Sequence, residues 1–491
     1  YLCMYSIARM EWGDLVEEKY KPVAKIFGFF VGPLIMFMFH FADIMRRFHE
    51  GEIDLAQIPK LLFCITQGIK RKARQKNRRF IQILDSSGKI ALESEGNKSN
   101  ADVDRVTLDA LEDMILNALD DRTTDILIDP KTDGTHTVRF RVDGFLQVVD
   151  DMEDDKCKPI VNCVKAISRM DIAEKRRPQD GAFMARMEDG NVSFRVASSG
   201  VLGGEKLSIR ILNQSSGIMQ LKDLGLSKEV YAIAANAIKQ QSGMILICGP
   251  TGSGKTTSLY AMLSTVDFYA RNVITVEDPI EHVMPHASQI EVNIKAEITF
   301  AKALRSILRQ DPDIITIGEI RDNETAGIAF QASQTGHLVL ATLHSSSNMG
   351  TLVRLMDLGV KPLLIASALS VIISQRLVRR LCKKCKKVAK ISEANAARFR
   401  QKGMDPSKVH MAIGCDKCAN TGYKGRLPIV DVMVLDANLK ARLTNPNVSI
   451  GDLKKDGDQK SKSSLREDGI RKVMAGLTTL EEVKRVTTNL G

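Results

Sequence analysis

The chain has few aromatic residues, an odd number of cysteines and no excess of acidic charge. Phe, Trp and Tyr make up only 5% of its 491 residues, but 44% are hydrophobic, which excludes a disordered chain. Five of its nine cysteines are scattered singly, so a secreted disulfide framework is excluded and a reducing compartment is favoured. The length predicts about two to four domains.

Two stretches of the sequence have no acidic residue. Lys70–Arg79 contains seven basic residues and Gln375–Lys390 contains eight, whereas the net charge of the whole chain is +11. The remainder is therefore slightly acidic, and we expect no nucleic-acid partner recruited by bulk charge. The first stretch fits either contact with anionic lipid or a solvated linker.

A run of 17 residues, 26–42, has no charge. This is the lower limit for a membrane-spanning helix, and the basic residues that follow would place the downstream side in the cytoplasm. We therefore expect this run to anchor the chain to a membrane, with the rest of the chain on the cytoplasmic face. A buried hairpin or an interfacial helix in a soluble N-terminal domain is the alternative. A signal peptide is not expected, since a long cytosol-like sequence follows.

Changes in composition and periodicity divide the chain. Apolar residues recur at helical spacing after Val106 and alternating strands follow, which predicts an α+β domain; from Val230 strands alternate with helices, which predicts a parallel sheet covered on both faces. The predicted organisation is an N-terminal segment (1–85), a linker (86–104), the α+β domain (105–212), a second linker (213–224), the α/β domain (225–378), a cysteine-bearing segment (379–428) and a C-terminal helical region (429–491).

A glycine-rich loop follows the apolar strand Met244–Cys248 and precedes a helix. It reads Gly249, Pro250, Thr251, Gly252, Ser253, Gly254, Lys255, Thr256, which is the phosphate-binding pattern G-x4-G-K-[ST]. Its backbone N–H groups and the helix N-terminus would bind the phosphates of ATP, with Thr257 in the first helical turn. Lys255 would reach the β- and γ-phosphates, and the Thr256 hydroxyl would bind magnesium.

Acidic and histidine side chains follow three more predicted strands. Glu319 is the candidate to orient or deprotonate the attacking water, with helix capping as the alternative. Glu277 and Asp278 are candidates to hold magnesium through water or to join the base, unless they merely form a turn before Pro279. His337 and His344 flank Leu338–Leu343 and are candidate γ-phosphate donors, although a structural role is open for each.

Two Cys-x2-Cys pairs, separated by 29 residues, lie in the 379–428 segment. Cys382, Cys385, Cys415 and Cys418 therefore predict a closed tetrahedral zinc site with a structural role. A redox dithiol pair or disulfides are the alternative.

The ordered motifs resemble a known family. The phosphate loop, EDPIE (277–281), LRQDPDIITIGEIRD (308–322) and TGHLVLATLHS (335–345) are similar to the boxes of secretion-superfamily ATPases of type II secretion and type IV pilus assembly, the GspE/PilB-like family. The resemblance implies a RecA-like ATPase domain preceded by a PAS-like domain, in a homo-hexamer. It also implies that Arg195 and Arg210 complete the nucleotide site.

Three functions are weighed. The first is a motor that hydrolyses ATP to drive protein secretion or pilus assembly through an inner-membrane platform protein. The second is a membrane-anchored, ATP-binding assembly or regulatory protein with little turnover, suggested because Leu127 and Ala182 depart from the family pattern. The third, a nucleic-acid translocase, rests only on the two basic stretches.

Overall fold

The computed structural model describes residues 80–85, 88, 90, 98–188, 190–213, 217–390, 393–401, 403–445 and 464–488. The uncharged run 26–42 and the basic stretch 70–79 lie outside these residues, so both predictions stay untested. Within the described ranges, every helix is too short or too polar to cross a membrane.

The secondary structure elements are numbered along the described residues. The strands are β1 (Ile81–Leu84), β2 (Thr123–Pro130), β3 (Thr135–Val142), β4 (Phe145–Glu153), β5 (Gln179–Met187), β6 (Gly190–Val201), β7 (Gly204–Asn213), β8 (Gly243–Cys248), β9 (Val273–Glu277), β10 (Ser288–Glu291), β11 (Ile314–Ile317), β12 (Leu338–Leu343), β13 (Leu369–Leu381), β14 (Lys387–Val388), β15 (His410–Met411) and β16 (Tyr423–Val434). The α-helices are α1 (Lys98–Asp120), α2 (Asp154–Ile167), α3 (Lys228–Ala237), α4 (Lys255–Leu263), α5 (Phe300–Ile307), α6 (Asn323–Gln334), α7 (Asn348–Asp357), α8 (Pro362–Ala368), α9 (Glu393–Gln401), α10 (Ala437–Leu443), α11 (Leu465–Met474) and α12 (Leu480–Thr487).

The α+β domain is an antiparallel sheet covered by two helices. Its strand order is β1-β5-β6-β7-β2-β3-β4, and alternate strand residues such as Phe140 and Phe194 pack against Leu111 of α1 and Val164 of α2. Because side chains alternate along a strand, the neighbours of these buried residues point to the opposite face. Arg195 and Arg210, directly paired between β6 and β7, are exposed there.

The α/β domain is a mostly parallel sheet with a hydrophobic core on each face. The strand order is β10-β9-β11-β12-β8-β13-β16, and every pair is parallel except β13–β16. The central strands β8, β9, β11 and β12 are almost entirely buried, as expected for a sheet sandwiched between helices. Their carboxyl ends meet at one edge, where the phosphate loop begins.

Three predicted boundaries differ from the structure. The chain returns to the α/β sheet after the cysteine segment, because β16 pairs with β13, so the predicted helical region 429–491 begins inside a strand. The predicted linker 213–224 includes Leu221 and Leu224, which are buried in the α/β core. Helix α1 begins within the predicted linker 86–104. Composition missed the first two features since they depend on pairing or packing with distant residues.

The turn between β3 and β4 joins the α+β domain to the base of the cysteine segment. The Arg379 guanidinium lies between two rings, 3.9 Å from the centroid of Phe145 and 4.0 Å from that of Tyr423. Arg379 also pairs with the buried carboxylate of Glu482 at 2.7 Å. The Asp143 carboxylate accepts a hydrogen bond from Gly425 N at 2.9 Å. These contacts join the two parts in this structure.

Candidate active site

The phosphate loop has the backbone that its glycines predict. It connects the last residue of β8 to α4, and Gly252 and Gly254 adopt φ of 76° and 83°, in the left-handed region that favours glycine. Gly254 is also the N-cap of α4. The N–H groups of Gly249 and Ser253 donate to the carbonyl oxygens of Leu343 and Pro250, at 3.4 and 3.2 Å. The rest of the loop and the helix N-terminus supply the N–H groups that would bind an anion.

Two side chains of the loop, Lys255 and Ser253, are buried and have polar groups that could bind a ligand. Lys255 Nζ donates to the carbonyl oxygens of Gly249 and Pro250, at 3.0 and 3.2 Å. Burial lowers the pKa of Lys255, partly opposed by the negative charge of Glu319. The Ser253 hydroxyl is buried with no hydrogen-bond partner. A bound phosphate would satisfy both the ammonium and this hydroxyl, so these residues fit the nucleotide that the motif implies.

Glu319 lies just beyond β11 and contacts two cationic or cationisable side chains. One carboxylate oxygen lies 2.9 Å from His344 Nε2, and the other accepts from Arg321 Nε at 2.9 Å. Arg321 also reaches the Asp278 carboxylate at 3.4 Å. Burial, reinforced by the charge of Lys255, lowers the pKa of His344, which favours its neutral form near pH 7. The carboxylate is therefore held beside the loop with its direction set by two donors.

Glu277 is buried in a hydrogen-bond network and is turned away from solvent. Its carboxylate accepts from the hydroxyls of Tyr260 and Thr275 at 2.5 and 2.6 Å, and from Gln289 Nε2 at 3.1 Å. Burial, with the charge of Glu277 beside it, raises the pKa of Tyr260, which keeps the phenol protonated and donating. In this arrangement Glu277 braces α4 against β9, and its predicted part in catalysis stays a prediction.

Glu281 was missed by the sequence analysis although it ends the EDPIE run. Burial, together with the charge of Glu277, raises its pKa, while a hydrogen bond from the Thr256 side chain and the charges of Arg210 and Arg195 act in the opposite direction. Arg210 is itself held by Asp125 at 3.0 Å. Two arginines of the α+β sheet therefore lie within electrostatic reach of the carboxylate that contacts the predicted magnesium-binding hydroxyl.

The structure separates the two histidines that flank β12. Because β12 runs parallel to β8, Leu343 pairs with Cys248 at the loop edge, whereas Leu338 pairs with Gly243 at the opposite edge. His344 therefore lies beside Glu319, but the His337 ring contacts the Ala332 carbonyl oxygen at 3.0 Å, far from the loop. Only the carboxyl ends of parallel strands reach this edge, so the structure does not bring His337 to the loop of its own chain, and its predicted nucleotide contact stays a prediction.

Of the remaining predicted nucleotide contacts, several line the open side of the loop. Thr251, Gly252, Thr257 and Asp278 are exposed, and Thr256 is half-buried. The structure thus brings Glu319, His344 and Asp278 together near the loop. Arg195 and Arg210 are linked to this site through their electrostatic effect on Glu281.

The four predicted cysteine ligands converge at a second site. All four sulfur atoms lie within 4.8 Å of one another, and all are free cysteines. The closest pairs are separated by 3.7 to 3.8 Å, which is about the S···S distance of a tetrahedron with 2.3 Å metal–sulfur bonds. The Cys418 sulfur accepts hydrogen bonds from the N–H groups of Cys415 and Gly422, at 3.2 and 3.3 Å. The cluster fits a metal ion held by thiolates.

A protein-family model described as "Type II/IV secretion system protein" matches residues 100–485. The chain belongs to this family. The resemblance inferred from its motifs is therefore confirmed. The match begins inside α1 and ends in α12, so it includes the α/β domain, the cysteine cluster and all of the α+β domain except β1 and the start of α1.

Curated relatives of this secretion-system protein come from two kinds of machinery. Type II secretion system protein E of Pseudomonas aeruginosa is 43% identical over 71% of this chain and 69% of its own length. Type II secretion system ATPase E of Vibrio cholerae is 37% identical over 90% and 88%. Type IV pilus assembly ATPase TfpB of Acinetobacter baylyi is 39% identical over 82% and 69%.

Solved structures share the fold of this family member. The Legionella pneumophila ATPase DotB aligns with a TM-score of 0.59 and 22% identity, covering 77% of this chain and 95% of DotB. The pilus retraction motor PilT with bound ADP aligns with a TM-score of 0.51 and 23% identity, covering 77% and 96%. At these identities the likeness concerns the fold alone.

Proposed function

We propose that this chain is an ATPase motor that drives protein secretion or type IV pilus assembly. Family membership and the named ATPases among its relatives support the activity. The observation that carries the proposal is the meeting of the phosphate loop, Lys255 and Glu319 at one edge of the sheet.

The loop and α4 bind the phosphates in this proposal. The N–H groups of Thr251, Gly252 and residues 254–256 at the helix N-terminus attract the anion, and Lys255 exchanges its two carbonyl contacts for phosphate oxygens. The Ser253 hydroxyl gains the partner that it lacks. The Thr256 hydroxyl would hold magnesium, which would supply positive charge to neutralise the phosphates. Glu281, which contacts the Thr256 side chain, keeps this hydroxyl in place.

Glu319 directs the attacking water. Its carboxylate accepts a hydrogen bond from the water and, with His344 and Arg321 fixing its two oxygens, aims the water at the γ-phosphate. Such a positioned base contributes about 10²–10⁴ in rate. His344 in its neutral form donates to Glu319 without adding a positive charge, which preserves the basicity of the carboxylate.

The proposal extends to the domain types, the oligomeric state and the partner of this chain. We assign the α/β domain as RecA-like and the preceding domain as PAS-like, and we infer a homo-hexamer that turns an inner-membrane platform protein from the cytoplasmic face. Arg195 and Arg210 then compensate charge on the γ-phosphate when the α+β sheet closes on the loop. Their electrostatic contact with Glu281 supports this direction of closure.

The cysteine cluster holds zinc in this proposal. Four thiolates close the coordination shell and leave no position for substrate, so the role is structural. The cluster connects β13 to β16, and zinc would therefore stabilise the strand pair that forms one side of the motor domain.

Purified protein tests the activity through two substitutions. We expect magnesium-dependent ATP hydrolysis in the wild type, loss of both nucleotide binding and hydrolysis in Lys255→Ala, and loss of about 10³-fold in kcat with retained binding in Glu319→Gln. Full hydrolysis in both variants would overturn the proposal. Tight ATP binding without measurable turnover in the wild type would favour an ATP-binding assembly protein instead.

A further inference from the structure

Gln375 on β13 is a buried amide that the phosphate-binding motif does not include. Its side chain is 2% exposed, and it lies one residue beyond Ser374, which pairs with the last residue of β8. Gln375 Nε2 donates to the Ser253 carbonyl oxygen at 2.8 Å, and Gln375 Oε1 accepts from the Ser258 hydroxyl at 2.7 Å. One amide thus binds both the loop and the first turn of α4.

The loop is packed closely against this residue. A Cβ atom at Gly249 would lie 2.5 Å from the Gln375 carbonyl oxygen, and one at Gly254 would lie 2.9 Å from Gln375 Nε2. The close approach of the β13 backbone therefore requires glycine at position 249, whereas at position 254 the left-handed backbone angle requires it. The position of the loop is defined by a strand that follows it by about 120 residues in the sequence.

The hydrogen bond to Ser253 also orients the next N–H group. The Ser253–Gly254 peptide bond is trans, because the cis bond of the described chain is at Asp278–Pro279. In a trans peptide the C=O and the following N–H point in opposite directions. Holding the Ser253 carbonyl toward β13 therefore turns the Gly254 N–H away from β13, toward the side on which the loop receives an anion.

We propose that Gln375 is a positioning residue that preorganises the phosphate loop for nucleotide. This inference rests on the proposed ATPase function and extends it to a residue outside the recognised motifs. Gln375 acts through Ser253 and Ser258 and does not touch the nucleotide. Since the loop holds phosphates in the ground state and in the transition state alike, the effect falls on affinity more than on kcat.

A set of three variants tests the inference by calorimetry with magnesium and a slowly hydrolysed ATP analogue. Gln375→Met keeps the length of the side chain and removes both hydrogen bonds, and we expect Kd to rise about tenfold, which is about 1.4 kcal/mol. Ser258→Ala removes one bond, and we expect about a threefold rise. Because Ser258 acts through Gln375, the double variant should bind no more weakly than Gln375→Met.

Kinetics and stability separate positioning from a general structural role. We expect KM for ATP to follow Kd, kcat to stay within about threefold and the melting temperature of the nucleotide-free protein to change little. Gln375→Glu keeps the acceptor for Ser258 but loses the donor to Ser253, and it should weaken binding at least as much as Ser258→Ala. If Gln375→Met fails to fold, Ser258→Ala and Gln375→Glu decide the question.

The inference is overturned if the folded variants bind the analogue within twofold of the wild type, or if Kd changes only in step with a lower melting temperature. Additive effects of Ser258→Ala and Gln375→Met would overturn the path through Gln375. A wild type that binds no nucleotide would instead refute the proposed function, so the two failures are distinguishable.

Discussion

Short sequence motifs predict both the nucleotide site and the cysteine cluster, but the two sites are built differently. The cluster closes on itself, with four sulfur atoms within 4.8 Å and N–H donors from its own turns. The nucleotide site is open and distributed, since Lys255, Glu319 and His344 come from different strand ends and Gln375 supports the loop from another strand. The cysteine cluster can therefore stabilise its own segment. The geometry of the nucleotide site, in contrast, changes whenever one of the strands that supply its residues moves.

The two sites also differ in the electrostatics of their ionisable groups. At the nucleotide site, burial lowers the pKa of both Lys255 and His344 and raises that of Glu281. Each of these shifts disfavours the charged form of its group in the absence of ligand. At the cysteine cluster, a bound metal ion would offset the charge of the thiolates.

The largest expected effect is a loss of local stability, without loss of nucleotide binding, when one of the four clustered cysteines is replaced. Cys415→Ser should destabilise the segment between β13 and β16 by more than about 3 kcal/mol, because a closed four-ligand shell loses one member. Hydrogen exchange should show lost protection in residues 382–422, while Kd for nucleotide changes less than about twofold. Equal losses of protection in the phosphate loop would show that the two sites are not independent.

A smaller effect is expected at His344. His344→Gln keeps a hydrogen-bond donor toward Glu319 but removes the titrating ring, and kcat should fall about tenfold. In the wild type, the lowered pKa of His344 keeps the ring neutral at pH 7, so its protonation should reduce kcat only below the ordinary histidine value of about 6.5. The variant should lack this acid limb; an unchanged pH profile would exclude coupling between His344 and Glu319.

The smallest effect is expected at the other end of the same strand. His337→Ala removes a ring that contacts the Ala332 carbonyl oxygen on the edge opposite the loop. Kd and kcat should both stay within about twofold of the wild type, in contrast with His344→Gln. A loss of nucleotide binding comparable to that of Lys255→Ala would support the role first predicted for His337.

The parts predictable from the sequence were those carried by consecutive residues. The phosphate loop, the strand ends at Glu319 and Glu277 and the two cysteine pairs each depend on a local pattern, and the structure has them where the pattern indicates. The return of β16 to the sheet and the support from Gln375 depend on pairing between distant segments. The separation of His337 from the loop was also not predictable from the local sequence, because the direction of β12 in the sheet decides which of its flanking residues reaches the site.

The most direct test of the account is an experimental structure with magnesium and a slowly hydrolysed ATP analogue. The account predicts the β- and γ-phosphates against the N–H groups of Thr251, Gly252 and residues 254–256. It also predicts Lys255 Nζ on a phosphate oxygen in place of the Gly249 carbonyl, and the Glu319 carboxylate within one water of the γ-phosphate. A nucleotide bound away from this loop, or a Glu319 carboxylate outside the pocket in every subunit, would contradict it.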